Sequence, residues 1–191
     1  MEKFKPQERI HTERLVLVRR SHEHDADMFQ AIEESRLSIG EYLFWVDSQK
    51  TIEDVKKATD VFIDKWETDK EWTYNIYRVE DNRFLGCVGL HNISFRNQSA
   101  EFGYWLRTSA TGKGYMTEAV LAVEKELFAK GMHRLTICCD IENKGSSGVA
   151  VRAGYKLESV AKEATYHRTG LHDLQTFVKL SPYPITEFEK R

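Results

Sequence analysis

The sequence predicts a mixed α/β fold built on one sheet, with an antiparallel N-terminal part and a single parallel pair of strands. Three observations carry this reading. Residues 72–79, 83–91 and 99–107 are strand-like runs separated by short polar turns, the pattern of an antiparallel meander. The last of these runs leads through a glycine turn into a helix at 115–130 and a further strand at 134–140. Strand, helix and strand joined by short links form a right-handed crossover, so the fourth and fifth predicted strands should be parallel. Finally, the 191 residues show no repeat, low-complexity stretch or linker, and read as one domain over 1–191.

Composition narrows the function. The chain is 41% hydrophobic and 30% charged, which fits a soluble globular protein. A net charge of −2 argues against a general nucleic-acid binder. Cys87, Cys138 and Cys139 are odd in number and match no zinc or redox spacing, so they read as small buried hydrophobes. No apolar leader or spanning run is visible, and the expectation is a cytoplasmic protein without a membrane partner.

Taken in order, 13–20 is a first strand, with Leu15 and Leu17 on one face and Val16 and Val18 on the other, as in a strand buried on both sides. Residues 1–12 are polar and read as frayed, at least at their start. Ser21 is placed to cap a helix in which Met28, Phe29 and Ile32 recur at helical spacing before Gly40. The aromatic cluster at 41–47 reads as a strand fragment or a packed loop, serving the core or one wall of an acceptor site. Thr51 and Asp54 form an acidic capping box, and Ile52, Val55, Ala58, Phe62 and Trp66 mark one face of the helix that follows, ending near Thr68. After the meander, Met116, Ala119, Val120, Val123 and Leu127 form the buried stripe of the 115–130 helix, which Gly131 ends. A polar loop at 141–145 and a short helix at 146–153 come next, closed by Gly154. A sixth strand at 155–160, an irregular polar stretch at 161–172 and a last strand at 173–180 complete the chain. Pro182 and Pro184 stop the regular structure.

The chemistry concentrates at 105–120. Gly112 and Gly114 allow a tight turn and close approach of a ligand to the backbone. The helix after them leaves its first N–H groups without intrahelical partners, and with the positive end of its dipole they make a seat for an anion. Lys113 adds a full charge. The same turn also occurs as a purely structural connection. It is not a Walker loop, because Gly114 follows Lys113 and position 107 is Arg107; nor is it the dinucleotide fingerprint, which needs glycine at Thr117.

Two segments carry a family likeness: EFGYWLR at 101–107 running into TGKGYM at 111–116, and DIENKGSSGVAVRAGY at 140–155. TERLVL at 12–17 and the aromatic segment at 41–47 extend it over nearly the whole chain. The chain resembles the GCN5-related N-acetyltransferase (GNAT) superfamily, and within it the Rim-type ribosomal-protein N-terminal acetyltransferases. It departs from the pattern at Thr111, where the superfamily has Arg or Gln, and at Met116, where it has Gly or Ala. Thr165 stands where some Rim-type enzymes carry a glutamate proposed as base, with Glu163 two residues earlier.

The resemblance implies a GNAT fold in which the parallel fourth and fifth strands splay apart and admit the pantetheine arm of acetyl-CoA. The cofactor residues it implies are Trp105, Leu106 and Arg107 on the strand, the turn residues Thr111, Gly112, Lys113, Gly114, Tyr115, Met116 and Thr117, and beyond them Asn143 and Ser146. Glu101 is the favoured base, on the same strand face as Gly103 and Trp105, with an ordinary exposed glutamate as the plain alternative and Glu163, His91 or water as rivals. Ser146 serves the leaving thiolate or caps the short helix; Asn143 contacts pantetheine or merely turns the chain. No metal is required, and no His, Asp or Glu set shows a metal-ligand spacing. The implied acceptor is the N-terminal amine of a protein, perhaps ribosomal. A small amine (polyamine, amino acid or aminoglycoside) and a non-catalytic acyl-CoA sensor are the alternatives. A homodimer is implied by resemblance alone.

Overall fold

Eight strands form one sheet in the computed structural model, which describes residues 3–183. They are β1 (Arg9–His11), β2 (Leu15–Arg19), β3 (Trp72–Arg78), β4 (Phe84–Ser94), β5 (Ser99–Leu106), β6 (Arg134–Asp140), β7 (Lys156–His167) and β8 (Gly170–Leu180). Four α-helices accompany them: α1 (Asp25–Gly40), α2 (Ile52–Glu67), α3 (Tyr115–Ala129) and α4 (Lys144–Arg152). The strand order is β1-β2-β3-β4-β5-β6-β8-β7, and every neighbouring pair is antiparallel except β5 and β6. The predicted meander is β3 to β5, and the predicted parallel pair is β5 and β6, linked through α3.

That pair separates partway along. Its register runs from Ser99 opposite Arg134 to Phe102 opposite Ile137 and no further. Beyond it, β5 stays with β4 and β6 stays with β8, so a gap opens between 103–106 and 138–140. Two cores hold this geometry. Met116, Ala119, Val120, Val123 and Leu127 of α3 belong to one, with Leu90, Phe102, Leu135 and Ile137 of the sheet. Met28, Ala31 and Ile32 of α1 belong to the other, with Val18, Tyr77, Phe84 and Cys87. A fully buried residue of this size contributes roughly 1.5–3 kcal/mol, so the stripe rather than intrinsic propensity anchors α3.

Several expectations need correcting. Residues 4–11 are tied down: β1 pairs with β2, Phe4 packs on Trp72 and Phe95, and the Tyr74 hydroxyl donates to Gln7 O at 2.7 Å. Ser21 makes no side-chain cap, and a 3-10 turn at His22–His24 precedes α1. The aromatic segment is a 3-10 turn, Phe44–Ser48, with Val46 buried and Phe44 and Trp45 half-exposed. Residues 161–172 form a hairpin rather than an irregular stretch, with β7 running to His167, a turn at 168–169 and β8 starting at Gly170, because pairing with β8 satisfies the backbone of an exposed polar edge. Two register shifts kink β7, and Glu163 takes a left-handed φ of 49° at the second. Asp173 holds that bulge, accepting from Lys162 Nζ at 2.6 Å and from Glu163 N at 3.1 Å. The Thr51–Asp54 capping box is present in full. Pro184 lies outside the described residues.

Candidate active site

The gap between β5 and β6 opens into a cavity of about 650 Å³. Its walls are β5, the 111–117 turn, the end of β6 with the start of α4, the end of α1, and Thr165 and His167 of β7. Of the residues singled out from the sequence, Glu101, Trp105, Leu106, Thr111, Gly112, Gly114, Tyr115, Met116, Thr117, Asn143 and Ser146 line it. Arg107 and Lys113 do not. The Arg107 guanidinium is paired with Glu34 of α1, and the Lys113 ammonium donates to Ser109 O at 2.9 Å. Arg107 and the Ser109 hydroxyl together hold the Glu34 carboxyl down at about 2.

The turn has the backbone an anion seat needs. Gly112 and Gly114 have left-handed φ values of 73° and 79°. Gly114 stands at the N-cap of α3 without a side-chain cap, and the first intrahelical bond runs from Glu118 N to Gly114 O at 3.1 Å. The N–H groups before it have no acceptor within the helix. The 12–17 segment braces this turn. Glu118 accepts from Thr12 Oγ1 at 2.6 Å, Arg14 N at 3.0 Å and Arg14 Nε at 2.7 Å. The same guanidinium donates to Lys113 O at 3.1 Å and lies 4.8 Å from the Tyr115 ring centroid. Burial pushes the Glu118 carboxyl up, but the bonds from Thr12 and Arg14 outweigh it and leave the carboxyl below its ordinary value.

Alternation along β5 sends Phe102, Tyr104 and Leu106 to the α3 core and Trp105 to the α1 core. By the same alternation Glu101 shares the Trp105 face. Its carboxylate accepts from Asn92 Nδ2 at 3.1 Å and lies 3.9 Å from His91 Nε2. Across the gap, Ser146 Oγ is 2.9 Å from the Tyr104 hydroxyl. Asn143, not Ser146, caps α4: its side chain accepts from Ser146 N at 2.9 Å. The Ser146 hydroxyl is therefore not occupied in capping. Burial raises the Tyr104 phenol and the Cys139 thiol, and pushes Cys138 up to about 11. Both thiols on this wall are neutral near pH 7.

Sequence reasoning missed Tyr104, although strand alternation pointed it across the gap. It also missed Ser38, Asp140, Thr165 as a wall residue, and His167, all of which line the cavity, whereas Tyr42 and Leu43 bring the 41–47 segment to the wall as one of its two readings had it. Tyr42 packs edge-on against His167, and burial pushes its phenol up to about 12. Asp140, His167 and His172 meet in one cluster that no local spacing reveals.

A family model described as an acetyltransferase (GNAT) domain matches residues 14–156. A Bacillus subtilis (strain 168) protein described as a probable N-acetyltransferase, YjcK, is 32% identical over 139 residues, 71% of this chain and 76% of that one. The ribosomal-protein-serine acetyltransferase of Escherichia coli (strain K12) is 24% identical over 158 residues, covering 82% of this chain and 87% of its own. Among solved structures, RimL, a ribosomal L7/L12 alpha-N-protein acetyltransferase in complex with coenzyme A, shares the fold. Its TM-score is 0.86 at 24% identity, over 91% of this chain and 98% of that one. The microcin C7 self-immunity acetyltransferase MccE, solved with acetyl-CoA and AMP, gives 0.83 at 23% identity, over 88% and 93%.

Proposed function

Because the chain belongs to the GNAT acetyltransferase family, we propose that it transfers the acetyl group of acetyl-CoA to the N-terminal α-amine of a protein, a ribosomal protein among the candidates. The observation that carries this reading is the continuity of one cavity, from the uncapped first turn of α3, through the gap between β5 and β6, to Ser146 on one side and Glu101 on the other. The N–H groups of 112–117 receive the pyrophosphate, with backbone donors rather than the Lys113 side chain making the seat. Asn143 fixes the start of α4, and the exposed edge of β5 at 103–106 receives the pantetheine.

Glu101 takes the proton of the amine, directly or through water, and the amine nitrogen attacks the thioester carbon. A backbone N–H of β5 supports the charge developing on the carbonyl oxygen. The C–S bond then breaks, and the Ser146 hydroxyl, bonded to Tyr104, gives a proton to the leaving thiolate and regains one from solvent as Glu101 releases the amine proton. Preference for an α-amine follows from cost. Such an amine has a pKa near 7.7–8.0 and lysine one near 10.4, a difference worth about 3.4 kcal/mol of deprotonation. A site with one partly exposed carboxylate as base favours the cheaper amine. The names of two relatives, both ribosomal-protein acetyltransferases, support the same acceptor class.

The test is thiol release from acetyl-CoA with a peptide bearing a free N-terminus, its N-blocked lysine analogue, and a panel of polyamines, amino acids and aminoglycosides. Release is expected fastest with the free N-terminus. Faster lysine acetylation contradicts the acceptor assignment, and faster turnover of a small amine moves the substrate to that class. A sensor without turnover has one observation in its favour, Thr165 on the cavity wall where some Rim-type enzymes carry a glutamate. Tight CoA binding with no release from any amine would establish that reading instead.

A further inference from the structure

Asp140, His167 and His172 lie on β6, β7 and β8 and converge on one point. Asp140 Oδ2 is 2.9 Å from His167 Nε2 and 2.7 Å from His172 Nδ1, and the three ligand atoms fall within 4.8 Å of one another. The carboxylate is 1% exposed, the His167 ring 8% and the His172 ring 19%. Acetyl transfer as set out above uses none of the three. We infer that they form a binding site for a divalent ion of the zinc type, with Asp140 Oδ2, His167 Nε2 and His172 Nδ1 as the protein ligands.

The donor chemistry selects the ion. Two imidazole nitrogens and one carboxylate oxygen suit zinc and its late first-row neighbours, whereas magnesium and calcium take oxygen. The spacing is close to what such an ion needs. Bonds of about 2.0–2.2 Å at tetrahedral or octahedral angles put adjacent ligand atoms roughly 3.0–3.5 Å apart. The two N···O contacts therefore need to open by a few tenths of an ångström, and the two ring nitrogens, within 4.8 Å of each other, need to settle in the same range. Each inner contact also needs a proton between nitrogen and oxygen, and an ion takes the place of both.

The second, independent observation lies outside the three ligand atoms. His167 Nδ1 faces Glu41 O at 3.3 Å, and His172 Nε2 faces Thr169 Oγ1 at 2.7 Å. Asp140 Oδ1 accepts from Glu142 N at 2.6 Å. Every ligand thus has its remaining polar atom held by a neighbour that fixes ring orientation, the usual outer arrangement of metal-bound histidine, while the inner atoms face one another, with Thr165 Oγ1 3.4 Å from His167 Nε2. Glu142 Oε2, 3.7 Å from His172 Nδ1 and on an exposed side chain, is within reach as a fourth ligand, with water as the alternative. An ion here ties the ends of β6, β7 and β8 together behind the cavity wall that Asp140 and His167 share.

The experiment uses tag-free full-length protein, stripped with chelator and then freed of it. Zn²⁺ is titrated by calorimetry in buffers of differing ionisation enthalpy, and Co²⁺ by visible absorption, with neither acetyl-CoA nor amine present. The outcome is thus separate from the transferase reading. One saturable equivalent is expected, with proton release on binding, the absorption bands of nitrogen-ligated Co²⁺, and a raised melting temperature. His172→Gln, a residue outside the cavity lining, should weaken Zn²⁺ binding by about 100-fold or more while leaving metal-free thiol release unchanged. Asp140→Asn should do the same to binding. His22→Gln, in the separate cluster with Asp25 and Asp60, should leave it intact. Absence of saturable binding to the wild-type chain overturns the inference, as does binding that survives both His172→Gln and Asp140→Asn.

Discussion

Ser146 and Tyr104 share a hydrogen bond of 2.9 Å at the point where β5 and β6 part. If that serine protonates the leaving thiolate, Ser146→Ala should lower kcat about 10²-fold and leave KM for acetyl-CoA nearly unchanged in steady-state kinetics. A loss confined to KM would reduce the serine to a binding group. Gly112 makes a different kind of contribution. Nothing lies within 4 Å of where its Cβ would be, so Gly112→Ala meets no clash and strains only the left-handed backbone. That strain costs roughly 1–2 kcal/mol, a factor of about 5–30 in an equilibrium. The expected result is a rise of that size in KM for acetyl-CoA with kcat preserved. The Ser146 hydroxyl was assigned a role from the sequence, but its freedom from capping was not visible there. Asn143 and Ser146 both suit an N-cap, and only the backbone φ and ψ decide which of them caps.

At the scale of elements, the segment joining the N-terminal strands acts as a brace for the 111–117 turn. Arg14, just before β2, bonds Glu118 of α3 and Lys113 O and covers Tyr115. Arg14→Ala should therefore raise KM for acetyl-CoA several-fold without a matching fall in kcat; equal loss in both would place Arg14 in the chemistry instead. Glu34 does a related job, tying α1 to Arg107 and Ser109 where β5 ends. Its folded carboxyl is held at about 2, below its ordinary 4.5. A depressed carboxyl stabilises the fold above its unfolded value, and that contribution disappears as pH falls from 4.5 toward 2. The urea midpoint should drop over this window, and Glu34→Gln should shrink the drop by lowering the neutral-pH midpoint. An unchanged acid limb in the variant would show that other carboxylates dominate. The helices were largely legible in the sequence, because α2 carries its own capping box and α3 its own apolar stripe. Only the first part of β7, to Val160, was legible, because an exposed edge strand needs no apolar alternation and its further pairing with β8 is written in the backbone ladder.

On the scale of the molecule, the cavity exists because β5 keeps β4 and β6 keeps β8 while they abandon each other. Gly86 is a pivot of that arrangement. A Cβ there would sit 2.1 Å from Trp105 O and 2.8 Å from Leu106 Cα, so the β4 and β5 backbones touch at this point. Gly86→Ala should cost about 3–4 kcal/mol or more, read as a lowered denaturant midpoint, and should weaken CoA binding by displacing Trp105 and Leu106 together. The parallel pair and glycine turn were readable because they are local in sequence. The rest of the cavity wall, from Ser38 and Tyr42 to Asp140, Thr165 and His167, comes from segments more than a hundred residues apart. Only the closed sheet brings them to one place, which is also why the Asp140, His167 and His172 cluster left no trace in residue spacing.

The central claim is that the uncapped start of α3 and the freed edge of β5 together hold coenzyme A. Amide hydrogen exchange with and without CoA measures this directly, residue by residue. Slowed exchange concentrated at 112–117 and 103–106 is the predicted result. Unchanged exchange at 112–117 under saturating CoA, or protection confined to another part of the sheet, would contradict it.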